Sequence, residues 1–131
     1  MINIDKHKKK YLILSSIIGG CLLIISWPLK GFPIFSLISL VPFLWIIDYI
    51  EHNRDKFIGG AIFRYTYPGF LLWNALTSYW IWYATAIGSI FVILANAALM
   101  SLTLQMAFNL KKWLGSTNRI GIIYVILWIC F

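Results

Sequence analysis

Groups able to do chemistry are scarce in this sequence. Its 131 residues include four acids, Asp5, Asp48, Glu51 and Asp55, and two histidines, His7 and His52. His52 stands beside Glu51 and three residues ahead of Asp55, a spacing that would suit an acid–base pair, but the stretch EHNRDKFIGG has the composition of a solvated, charged loop. Neither histidine has a second ligand at metal-binding spacing. No glycine-rich phosphate loop and no nucleophile elbow occurs. The residues themselves therefore offer no catalytic group, no metal site and no cofactor site.

The two cysteines carry a different question. KHKKK, an apolar run and then IGGC have the outline of a lipoprotein signal with Cys21 as the residue to be lipidated. After Cys21 the chain continues LLIISW, where a mature lipoprotein turns polar, so Cys21 reads as a buried structural thiol. Cys130 also falls in an apolar run, where hydrocarbon suppresses the thiolate that reactivity requires.

Composition identifies the solvent around these groups. The chain is 61% hydrophobic and 11% charged, against roughly 45–50% and about 25% for a soluble domain. It is the composition of a membrane protein. A net charge of +7 would suit nucleic acid if the basic residues clustered on a folded surface, but they fall in the gaps between apolar runs. No nucleic-acid partner is implied; the partner is a lipid bilayer.

About 20 apolar residues cross a hydrocarbon core. The expected fold is an all-α, polytopic transmembrane helix bundle with four full spans at residues 11–27, 32–50, 65–83 and 88–110, behind a basic tail of residues 1–10. A fifth run, residues 120–131, reaches only about 18 Å and reads as a truncated span in a piece of a longer protein. Lys6, Lys8, Lys9, Lys10, Arg54, Lys56, Arg64, Lys111, Lys112 and Arg119 fall on one side of these spans, and Lys30 alone on the other. The bias predicts a cytoplasmic amino terminus and external turns near Lys30 and Thr85.

At the external side, SWPLKGFP reads as a tight hairpin: Pro28 ends one helix, Gly31 frees the turn and Pro33 opens the next. Trp27, Lys30 and Phe32 in this hairpin, with Tyr79, Trp80, Trp82 and Tyr83, form the expected outer-interface lipid contacts, since aromatic rings favour the headgroup layer. Trp73, Thr77 and Trp80 are expected to share a helical face. Ser15 with Gly19, Ser16 with Gly20, and Ala97 with Ser101 are small-residue pairs suited to helix seams, with Asn96 a polar group at depth. Pro42 and Pro68 should kink their spans, leaving carbonyls for neighbouring helices to satisfy.

The order of segments resembles one family. LSSIIGGCLLIISWPLKGFPIFSLISLVPFLWI is similar to the opening of bacterial apolipoprotein N-acyltransferases, with a Ser-Trp-Pro turn, an aromatic-Pro pair and a mid-span VPFL element. GFLLWNALTSYWIWYAT resembles the family's third helix and RIGIIYVILWICF the start of its fifth, while EHNRDKFIGG looks closest to Bacteroidetes-like forms. The resemblance implies a bacterial inner-membrane, multi-pass protein. Its partners would be a membrane phospholipid, whose acyl chain is transferred, and an apolipoprotein, whose diacylglyceryl-cysteine amine receives it. It also implies a nitrilase-like external domain carrying Glu, Lys and Cys; no position here matches these three, so that domain is expected to be absent and the chain alone inactive. The alternative is a small non-catalytic membrane protein, a structural or lipid-associating subunit that pairs through its small-residue seams. A transporter fragment ranks third, because charge inside the spans is lacking.

Overall fold

The computed structural model describes residues 6–27 and 34–114, and among them every regular element is helical. Four α-helices alternate in direction: α1, Lys6–Ile25; α2, Ile34–His52; α3, Ala61–Thr77; and α4, Ala86–Leu114. Short 3-10 turns follow α2 at Arg54–Lys56 and α3 at Tyr79–Tyr83. Two helices, α2 over Phe35–His52 and α4 over Ala86–Lys111, are long and apolar enough on their own to cross a bilayer. α3, at 17 residues, reaches about 25 Å as an α-helix, and α1 carries a lysine-rich first turn. The fifth run, residues 120–131, lies outside the described residues.

The bounds differ from the hydropathy reading for local reasons. α1 begins at Lys6, so half of the expected basic tail, with all four of its lysines, forms its first turns. The third span is not one helix to Tyr83. Thr77 Oγ1 donates to the Trp73 carbonyl at 2.8 Å and Asn74 Nδ2 to that of Phe70 at 2.9 Å, back-bonding that loosens a last turn; the aromatic run beyond Ser78 then tightens into a 3-10 turn. Trp80, in that turn, consequently shares no α-helical face with Trp73 and Thr77. α4 starts two residues early because Thr85 caps it: its Oγ1 accepts from the Gly88 N–H at 3.0 Å.

Close approach between α1 and α3 organises the packing. A Cβ on Gly69 would sit 2.1 Å from the Ser16 carbonyl oxygen, and one on Gly20 would sit 2.4 Å from the Gly69 carbonyl oxygen. Backbone therefore meets backbone, the arrangement small residues permit in a bilayer, where water exclusion does not drive helices together. Ser16 Oγ uses the proximity twice, donating to the Thr66 carbonyl at 3.1 Å and accepting from the Gly69 N–H at 2.9 Å. Ser15 Oγ donates to the Pro42 carbonyl of α2 at 3.3 Å. α1 thus supplies polar partners close to both prolines, although these bonds go to the Pro42 and Thr66 carbonyls and the Gly69 N–H and not to the Ile38 and Arg64 carbonyls that the proline rings free. Phe43 of α2 lies over Gly19 and stacks on Phe70 of α3, ring centroids 4.4 Å apart. α4 packs along the other side of α3, with Ala97 and Ser101 fully buried. Asn96 is exposed rather than part of this seam. Cys21, expected to be buried, is also exposed, because the face of α1 that packs is formed by Leu12, Ser16, Gly19, Gly20 and Leu23.

Candidate functional site

All charged residues among those described gather at one end of the helices, which begins α1 and α3 and ends α2 and α4. The opposite end is aromatic. Of the seven expected lipid contacts, Lys30 and Phe32 lie outside the described residues; the other five are at this aromatic end.

Four of those five are strongly exposed, from Trp82 at 54% to Tyr83 at 85%. The 3-10 turn produces this display, since its threefold repeat spreads five consecutive large residues around the axis instead of stacking them on one face. Tyr79, Trp82 and Tyr83 form one wall of a cleft of about 330 Å³ against α4, completed by Ala75, Ser89 and Ile93. Trp80 stands outside the cleft. Trp27 is turned toward Trp73 in an edge-to-face pair with centroids 6.2 Å apart. The Trp73 indole Nε1 is buried with no hydrogen-bond partner among the described residues. Only the aromatic members of this cleft were visible as a sequence run; Ala75, Ser89 and Ile93 come from two helices and carry no signal of their own. A cleft walled mostly by apolar and aromatic groups, beside exposed rings, has the chemistry to take an apolar chain.

The charged end is built differently. Glu51 lies on the last turn of α2, not in a loop, and its carboxylate is gripped by the Lys111 ammonium of α4, whose side chain is 7% exposed. Arg54 Nη2 approaches the same carboxylate at 3.4 Å while its guanidinium lies 4.8 Å above the Phe108 ring. Lys111 thus does more than mark topology: it ties α4 to α2, helices on opposite flanks of the bundle. Gln105 of α4 supplies the cap that Gly60 cannot, its Oε1 accepting from the Phe63 N–H at 3.3 Å. His52 is exposed, with Nδ1 2.9 Å from the Asp48 carbonyl. Glu51, His52 and Asp55 therefore form no acid–base site. No group of three or more metal-binding side chains occurs among the described residues.

Together the fold and its two ends define an all-helical membrane protein, open and aromatic at one end and ion-paired at the other. The sequence matches the family described as the apolipoprotein N-acyltransferase N-terminal domain over residues 19–131, and the chain belongs to it. Neither the curated proteins nor the solved structures contain a match.

Proposed function

We propose that this chain is the membrane-embedded amino-terminal part of an N-acyltransferase of a bacterial inner membrane, with all four helices crossing and the amino terminus cytoplasmic. The enzyme moves an acyl chain from a phospholipid to the α-amino group of an apolipoprotein's diacylglyceryl-cysteine. The observation that carries this reading is the family match over residues 19–131. Both substrates are lipids held at one leaflet, so the membrane part contributes by bringing ester and amine to the same depth and orientation, which replaces an improbable encounter. The cleft of Tyr79, Trp82 and Tyr83 supports that role, with Trp27 and Trp80 at the same end of the helices. Lys30 would lie near lipid phosphates.

Acyl transfer itself falls to groups outside this chain. The described residues do contain a Glu–Lys pair, Glu51 with Lys111, but it is at the charged end, and Cys21 is on the exposed face of α1. They do not form the Glu, Lys and Cys set that a thioester mechanism uses, so the chain alone is inactive. The alternative, a non-catalytic subunit pairing through small-residue seams, is weakened by the burial of those seams within the chain itself, between α1 and α3 and at Ala97 and Ser101.

The complete gene should restore growth to a strain depleted of its apolipoprotein N-acyltransferase, and this chain alone should not. Failure of the complete gene, with the protein present in the membrane, would overturn the reading.

A further inference from the structure

At the charged end, a turn bearing two glycines divides two neighbouring cavities. One, of about 470 Å³, is lined by Arg54, Phe108, Gln105 and Asn109; the other, of about 640 Å³, by Arg64, Tyr67 and Gln105; Gly59 and Gly60 belong to both. Sharing Gly59, Gly60 and Gln105, the two cavities adjoin, and we treat them as one groove, with an arginine in each lining and no acid in either. Of the two acids that flank Arg54 in sequence, Glu51 is already held by Lys111 and Arg54, and Asp55 lines neither cavity. Arg64 is exposed and enters no ion pair among the described residues.

The glycines are informative separately. Gly60 is required by its backbone, at φ +81°. Gly59 has no such conformation, and a Cβ there would meet nothing within 4 Å. Neither strain nor packing among the described residues explains Gly59, which leaves that part of the cavity lining bare. At the rim, Ile58 is 75% exposed, an apolar contact next to an arginine.

We infer that this groove binds the phosphate of an anionic phospholipid headgroup from the cytoplasmic leaflet, with the unpaired Arg64 as the cation facing the phosphate, Arg54 adding positive charge from its place over Glu51 and Phe108, and Ile58 reaching toward the glycerol and acyl region. Basic pockets between helices at the cytoplasmic boundary suit this ligand by charge and depth. The site is distinct from the aromatic cleft, and it rests on the proposed orientation but not on acyl transfer.

The test places the full chain in phosphatidylcholine nanodiscs with spin-labelled phosphatidylglycerol, and the motionally restricted fraction is read by electron spin resonance. Phosphatidylglycerol should be retained about fivefold over equally labelled phosphatidylcholine. Arg64→Gln should bring the ratio near parity. Gly59→Leu should do the same by placing an apolar side chain on the groove floor without changing charge. Lys56→Gln, which removes an equal charge outside both cavities, should leave the preference intact. Equal retention of the two lipids, or a loss in Lys56→Gln matching that in Arg64→Gln, would overturn the site. Displacement of the labelled lipid by inorganic phosphate would overturn the lipid as ligand in favour of a soluble anion. Ile58→Cys should react with an impermeant maleimide from the cytoplasmic side; reaction from outside alone would overturn the leaflet while leaving the groove's chemistry to the lipid assay.

Discussion

The two ends of the bundle use their side chains in opposite ways. At the charged end polar groups point inward and bind helices to one another: Lys111 and Arg54 to Glu51, Gln105 to the start of α3, Arg54 over Phe108. At the aromatic end Tyr79, Trp80, Trp82 and Tyr83 point outward, α3 gives way to a 3-10 turn, and no charge occurs among the described residues. The midsection between them is held by backbone contact at Gly20 and Gly69. Lipid tails are as apolar as leucine, so helix cohesion in a bilayer has to come from packing and polar pairs. This chain concentrates those in the midsection and the charged end, and the large side chains of the aromatic end are left exposed.

That contrast breaks most readily at Glu51. Glu51→Gln strips the counter-charge from a Lys111 side chain that is 7% exposed, and an uncompensated buried charge costs about 3–5 kcal/mol. Unfolding of the purified chain in mild detergent should show this loss, and Glu51→Gln with Lys111→Met should recover most of it, because the pair's desolvation cost disappears with its attraction. A loss under about 1 kcal/mol in the single variant would mean that the charged end is solvated and not a clasp. Next in size is Gly69→Ala. The added Cβ would fall 2.1 Å from the Ser16 carbonyl oxygen, so α1 and α3 must separate, at about 1–3 kcal/mol for the overpacking. The same assay should show Gly59→Ala unchanged.

Hydropathy and charge made the membrane class, four helical segments and their alternation legible in the sequence, because apolar run length and the Lys/Arg bias are local signals. The small pairs Ser16–Gly20 and Ala97–Ser101 were legible as seams for the same reason. Their use was not: that Gly20 lies against Gly69, 49 positions later, depends on the crossing point of α1 and α3. Likewise Glu51 and Lys111 each resemble boundary residues until the two helices are placed together. Cys21 was misread because hydropathy reports that a segment is apolar without reporting which face is packed. The aromatic run announced the cleft's position, but its opposite wall on α4 required the fold.

Gln105→Ala should cost about 1 kcal/mol, the ordinary value of a helix cap, with exchange protection lost first at Ile62 and Phe63; uniform loss along α3 would assign Gln105 to general packing instead of capping.

The smallest stability effect belongs to the aromatic end, and there it sharpens the contrast. Trp80 and Trp82 are exposed, so replacing both with Phe should shift unfolding by no more than about 0.5 kcal/mol. Their lipid contact should change nonetheless. In vesicles brominated just below the headgroup, quenching of tryptophan emission should fall in the double variant, while deep-chain bromines should quench as before. Trp73 supplies the internal reference, because its indole Nε1 is buried. If the shallow quenching persisted, or if the double variant unfolded as easily as Glu51→Gln, the aromatic end would be a packed cap like its counterpart, and lipids would have to approach the bundle elsewhere.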